Sequence, residues 1–91
     1  MSATNAPPGP EQDPGLRTLP EWRNGQLVGV RFVAELRHRN LLGLAMLQDQ
    51  AEALLALARR YARPRQWCAY YAGQAEAFRQ AALSLERGAT P

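Results

Sequence analysis

The apolar residues between Val30 and Ala62 recur with the period of an α-helix, and this pattern constrains the fold more than any other feature of the chain. When residues are placed about 100° apart on a wheel, the large apolar side chains fall within about half of the circumference. The opposite arc is polar and carries Arg31, Asp49 and Glu52, as a solvated helix face does. The pattern predicts one long helix over residues 30–62, with a glycine tolerated at position 43 at a cost of about 1 kcal/mol.

Pro64 predicts where this long helix ends. Its ring cannot donate a backbone hydrogen bond, and it disfavours the α conformation of Arg63. Proline is also favoured in the first turn of a helix, so a second helix is predicted over residues 64–87, with Gly88 as its C-terminal stop. A single kinked helix is the alternative, because a heptad pattern passes through the proline unbroken. The apolar face shifts by roughly a third of a turn there, which favours a helical hairpin.

The stretch at residues 20–32 fits two structures. Asn24-Gly25 is a frequent two-residue hairpin turn, and Val28, Val30 and Phe32 alternate with smaller or polar residues as in a strand. A capping box is the other interpretation, with Thr18 as the N-cap residue and a glutamate three positions later starting a short helix. We favour a short helix or turn followed by an extended segment.

Residues 1–19 are rich in proline and glycine, which predicts a disordered tail before a helical domain at residues 20–88. About 70 residues give a small core, and chains of that size often need a disulfide, a metal or self-association. Cys68 is the only cysteine and His38 the only histidine, so an intrachain disulfide and a Cys/His zinc site are both excluded. Self-association remains as the source of additional stability.

The apolar arc of the long helix is wider than one neighbouring helix can cover. The sequence therefore predicts an all-α fold in which two hairpins pair as a dimeric, four-helix-type bundle. Asn40 falls on the apolar arc, where a buried asparagine can fix the register of partner helices; a solvent-facing asparagine is the alternative. The predicted oligomer core consists of Leu36, Leu44, Leu47, Leu54, Leu55, Leu57, Tyr61, Trp67, Tyr71, Phe78 and Leu85.

The positive charge is concentrated in the middle of the chain. The whole sequence carries a net charge of +3, and residues 27–65 hold seven arginines against three acidic residues. Arg59, Arg60, Arg63 and Arg65 surround the predicted hairpin tip and are candidate nucleic-acid contacts, because successive phosphates bind arginines. In the competing interpretation these arginines stabilise a helix C-terminus, and the nearby aromatic residues Trp67, Tyr71 and Phe78 are core residues or line a small-ligand pocket.

Residue types used in catalysis are sparse and poorly placed. Cys68 has no Cys-x-x-Cys partner, and Glu76 and Glu86 face away from the predicted core, so no inward-facing carboxylate pair is expected. No catalytic residue, metal site or cofactor is predicted. The longest apolar run, Leu41 to Leu47, is far shorter than the ~20 residues that span a bilayer. The sequence favours a cytoplasmic, non-enzymatic protein that acts through protein partners, with nucleic-acid binding as the alternative.

Overall fold

The computed structural model describes residues 13–88, and all regular secondary structure in that range is helical. A short 3-10 helix at Pro14–Thr18 is followed by three α-helices: α1 at Pro20–His38, α2 at Leu44–Arg60 and α3 at Arg65–Glu86. No strand occurs between residues 13 and 88. The expectation of a helical protein is confirmed. None of the three α-helices in this range is both long and apolar enough to span a membrane.

The prediction of one helix over residues 30–62 is wrong, because the backbone reverses at Asn40. Asn40 has a φ of 58°, a left-handed conformation that asparagine tolerates better than most residues. The amide of Leu41 donates to the Leu36 carbonyl at 2.8 Å, and the amide of Asn40 donates to the Arg37 carbonyl at 3.0 Å. This bonding pattern is a Schellman termination. Asn40 is therefore an exposed helix stop, not a buried register residue.

Gly43 is the N-cap of α2 and does not lie inside a helix. The wheel missed the interruption because periodicity reports which side chains face a neighbour, not whether the backbone is continuous. Helices α1 and α2 both pack on α3, so each of them has apolar residues at a helical spacing. Along the sequence the two sets resemble the apolar face of one continuous helix.

The hairpin and extended interpretations of residues 20–32 are also wrong. Asn24 and Gly25 lie inside α1, and Gly25 is buried against the Tyr70 backbone of α3. This tertiary contact outweighs the local preference of Asn-Gly for a turn. The capping box does not form either, because Leu19 is the N-cap residue and the Thr18 hydroxyl donates to the Gly15 carbonyl at 2.7 Å.

The second predicted helix corresponds closely to α3, and the hairpin around Pro64 is present. Pro64 is the N-cap residue of α3. At the turn, Ala58 of α2 packs with Cys68 and Ala69 of α3. Near the other end, the Gln48 amide donates to a carboxylate oxygen of Glu86 at 3.5 Å. Helices α2 and α3 are therefore antiparallel, as in the predicted hairpin.

Helix α3 is central, since it packs against both α1 and α2, which have little direct contact with each other. Helix α1 runs parallel to α3, because Gly25 lies against Tyr70 and Gly29 lies against Gln74 and Ala77. The α2 side of α3 is formed by Ala75, Phe78 and Ala82, which cluster with apolar residues of α2. On a helical wheel the two contact faces of α3 lie roughly 110–120° apart, so α1 and α2 leave side chains between them accessible.

The 3-10 helix with Asp13 forms a strap that closes one side of the bundle. Leu16 is only 1% exposed and packs against Ala58, Cys68, Ala69 and Ala72. The predicted tail at residues 1–19 is therefore too long: the ordered domain includes residues 13–19, and residues 1–12 lie outside the described range. One leucine buries enough apolar surface to anchor a segment whose composition otherwise resembles a tail.

Candidate functional site

The eleven residues predicted as an oligomer core fall into three groups. Leu47, Leu54 and Phe78 are buried by the helices of their own chain, so they form no surface for a second copy. Four others, Leu36, Leu55, Leu57 and Tyr71, are partly buried around the same core. The remaining four are exposed: Leu44, Tyr61, Trp67 and Leu85. Of the predicted set, only these four are exposed in a single chain, and further exposed apolar residues lie outside the set.

The largest part of this surface is on α1. We call the exposed residues Leu27, Val28, Val30 and Phe32 the α1 patch. Phe32 is 59% exposed, Leu27 54% and Val30 51%, although Phe32 also lies 6.1 Å, between ring centroids, from Phe78. On a helical wheel these four side chains spread over about 200°, outside the face that carries Gly25 and Gly29. Their spacing alone therefore does not mark them as one exposed surface.

A second exposed surface lies where α2 turns into α3. Its four aromatic residues, Tyr61, Trp67, Tyr70 and Tyr71, form the aromatic corner. Tyr71 is the centre of the group: its ring centroid is 6.0 Å from Tyr61, 6.1 Å from Trp67 and 5.8 Å from Tyr70. Trp67 is 52% exposed and Tyr61 42%, so neither belongs to the core of the single chain. Both were predicted as part of an oligomer core.

A recess of about 310 Å³ opens between Tyr61 and Trp67. We call it the corner recess, and it is lined by Tyr61, Arg63, Pro64, Trp67 and Tyr71. No acidic residue is in this lining. The guanidinium carbon of Arg60 lies 5.8 Å from the centroid of the Tyr61 ring, which is a cation–π distance. The recess therefore combines flat aromatic walls with positive charge.

The four candidate arginines are not equivalent. Arg65 is held by the strap, because its guanidinium donates to the Asp13 carboxylate at 3.0 Å. Arg59 and Arg60 are in the last turn of α2, where positive charge is favoured by the helix dipole. Arg63 lies in the turn and lines the corner recess. The structure thus brings Arg60 and Arg63 close to the aromatic corner, while Arg65 is engaged elsewhere.

The pKa values of Asp13 in the strap and of the Cys68 thiol beneath it both depart from their ordinary values. The hydrogen bond from Arg65 is the main reason that the pKa of Asp13 lies below its ordinary value. Burial raises the pKa of the Cys68 thiol, and the nearby Asp13 carboxylate raises it further, while Arg65 opposes the rise. Cys68 is consequently a protonated, packed side chain at neutral pH. The direction of this shift is opposite to the lowered pKa of a nucleophilic cysteine.

The side of α3 that faces away from the aromatic corner is polar. Glu76 lies 3.7 Å from Arg17 and accepts a hydrogen bond from Gln80 at 2.7 Å.

The remaining candidate polar residues are His38 and Glu86. His38 is exposed at the end of α1, and Glu86 accepts a hydrogen bond from Gln48. Within the described part of the chain, no group of three or more histidine, cysteine or acidic residues is placed to hold a metal ion.

The described residues therefore present two surfaces for contact, the α1 patch and the aromatic corner. No protein-family model matches the sequence, and comparison with curated proteins and with solved structures gives no match.

Proposed function

We propose that this chain is a small cytoplasmic, non-enzymatic protein that dimerises through the α1 patch and acts by protein contact, as an adaptor or regulator. The observation that carries the proposal is the exposure of four large apolar side chains on one helix. A helix that is apolar on several sides is normally covered by neighbours. Here α3 covers only the side of α1 that carries Gly25 and Gly29.

The energetics favour covering this surface with a second copy. Complete burial of a valine, leucine or phenylalanine side chain stabilises by about 1.5–3 kcal/mol relative to full exposure. Side chains that are already half-buried would gain roughly 1 kcal/mol each, and both copies would contribute. A two-fold pairing presents the same patch from each chain, so one set of residues supplies the whole interface.

The charges on α1 suit such a pairing. Arg31 and Glu35 lie on the exposed side of α1, with apolar residues of the α1 patch on either side of them. Antiparallel packing of two α1 helices would set Arg31 of one copy opposite Glu35 of the other. Glu35 already accepts a hydrogen bond from Arg39 at 2.7 Å, which fixes the orientation of its carboxylate on the exposed side of the helix.

Phe32→Asp is expected to give a folded monomer. The side chain is 59% exposed in one chain, so a carboxylate there remains solvated in the monomer but would be buried unpaired in the dimer. Helix content by circular dichroism should be retained while sedimentation velocity shows loss of the dimer. Gln50→Asp, on an exposed side of α2, is the charge-matched control and should stay dimeric. A dimer that survives Phe32→Asp would count against the α1 patch.

A substitution at Phe32 tests dimerisation more directly than a substitution at a buried residue of the predicted oligomer core. Leu54, for example, is buried by its own chain, so a charge there would unfold the monomer whether or not it dimerises. Only a residue exposed in the single chain separates the two effects.

Nucleic-acid binding is a second candidate function, and one specific observation favours it. Tyr61 and Trp67 are accessible beside Arg60 and Arg63, and Trp67 is one of the aromatic residues that the competing interpretation assigned to the core. Arginines next to exposed aromatic rings are typical of surfaces that contact phosphates and stack bases. The α1 patch and the aromatic corner are separate: Trp67 and Phe78, against which Phe32 packs, are roughly 16 Å apart along α3.

A further inference from the structure

We infer that the corner recess is a base-binding site for single-stranded nucleic acid, with Trp67 and Tyr61 stacking on one base and Arg63 and Arg60 contacting the adjacent phosphates. The inference rests on the second candidate function and makes it specific. It assigns a strand type and a set of residues, and it leaves Arg65 out because Asp13 holds that guanidinium.

The shape of the recess suits a planar ring. Tyr61 and Trp67 both line the recess with Tyr71, each about 6 Å from its ring centroid, and the Trp67 and Tyr71 planes are inclined by only 29°. The volume of about 310 Å³ is at the lower end of the range for small-molecule sites, ~300–1,000 Å³. Because the two outer rings are 42% and 52% exposed, a base could stack on them without any rearrangement of the core.

The positive charge around the recess favours a polyanionic ligand. Arg63 is part of the lining, Arg60 lies over the Tyr61 ring, and no lining residue is acidic. The opposite side of Trp67 is different: a neighbouring recess of about 280 Å³ is lined by Glu21, Gln66, Trp67 and Tyr70. The Glu21 carboxylate would repel phosphates there. The strand backbone should therefore pass on the Arg63 side of Trp67.

Single strands fit this site better than duplexes. In a duplex the base faces are already stacked on each other, so an aromatic side chain that binds by stacking needs an unpaired base. Proline-rich peptides also bind grooves lined by tryptophan and tyrosine. They offer no negative charge to the two arginines, so the charge pattern favours a nucleic-acid strand over such a peptide.

The test uses oligo(dT), a single strand with little structure of its own, at about 50 mM salt. The full chain contains two tryptophans, so a Trp22→Phe background leaves Trp67 as the only fluorophore of this type. Oligo(dT) should quench Trp67 fluorescence, and binding measured by anisotropy should weaken as salt rises. Trp67→Ala should reduce affinity at least about fivefold, and Arg63→Gln should reduce both the affinity and its salt dependence.

Matched controls are available outside both the α1 patch and the aromatic corner. Leu41→Ala removes a comparably exposed large apolar side chain, and Arg79→Gln removes one exposed arginine. Both variants should bind oligo(dT) as the unmodified chain does. Circular dichroism of every variant checks that the helices are retained.

Each other outcome overturns the inference in a distinguishable way. Binding that is unchanged in Trp67→Ala would reject the corner recess while nucleic-acid binding stands. A duplex that binds as tightly as oligo(dT) would reject the single-strand assignment. No binding at about 50 mM salt would reject both the recess and the second candidate function. Quenching of Trp67 by a proline-rich peptide but not by oligo(dT) would assign the recess to peptides. None of these results bears on dimerisation through the α1 patch.

Discussion

Replacing Gly73 with alanine should destabilise the protein by about 2–3 kcal/mol, although alanine is the better helix former by about 1 kcal/mol. A β-carbon at position 73 would fall well inside van der Waals contact of the Trp22 carbonyl oxygen, and 2.9 Å from the Gln26 backbone nitrogen. These are backbone atoms of α1 and cannot rotate away. Accommodating the methyl group therefore requires α1 to move away from α3. Urea denaturation followed by circular dichroism measures the loss.

The control for Gly73→Ala is Gly43→Ala. A β-carbon at position 43 has no neighbour within 4 Å, and the backbone there is extended, with a φ of −145°. Gly43→Ala should lower the free energy of unfolding by about 1 kcal/mol or less, which is the cost of a poorer N-cap residue. If Gly73→Ala were neutral or stabilising, helix propensity would have prevailed, and α1 could not approach α3 as closely as described.

Leu47→Ala is expected to have the second large effect, a loss of about 3–5 kcal/mol. Leu47 has no exposed surface and lies in the cluster that joins α2 to α3, so its removal leaves a cavity that rigid helices cannot fill. Small domains are stable by only about 5–15 kcal/mol, so the melting temperature should fall by tens of degrees, at 4–8 °C per kcal/mol.

Leu44→Ala provides the comparison for Leu47, since both leucines are on α2. Leu44 is 37% exposed, so the same truncation should cost about 1 kcal/mol or less. Equal effects at the two positions would contradict the assignment of Leu47 to the core of one chain. They would instead suit a loosely packed chain whose α2 residues become buried only after association.

Parts of the fold could be predicted from the sequence because their causes are local. Pro64 cannot continue α2, and the apolar period after it defines α3 almost to the residue. Leu47, Leu54 and Phe78 were recognised as core residues because long helices bury the centre of their apolar face. What these patterns could not reveal is which chain buries a residue. The predicted oligomer core therefore includes three residues that a single chain already buries.

The errors arose where tertiary contacts override local preference. Gly25 reads as a turn residue after Asn24, but it lies in a helix because α3 passes too close for any side chain. Asn40 looked like an interior position of a helix, and only its left-handed conformation marks the break. Leu16 anchors a segment whose composition indicates disorder. In each case a single contact or dihedral angle decides the structure.

The candidate surfaces could be predicted only in part from the sequence, because tertiary contacts also decide which side chains stay exposed. The spacing of Tyr61 and Trp67 gives the direction of each side chain, but not whether a neighbouring helix reaches it. Both lie at the turn, where α2 ends and leaves one side of α3 uncovered. Arg63 was a candidate from charge alone, and the structure adds the recess that it lines.

Multi-angle light scattering of the purified chain over a range of micromolar concentrations tests the central claim most directly, namely that α3 leaves the α1 patch uncovered for a second copy. The mass of one chain is 10.1 kDa. We expect a mass approaching twice this value as concentration rises, and a return to one chain mass in Phe32→Asp. A value of 10.1 kDa throughout the range, for a stably folded protein, would contradict the account.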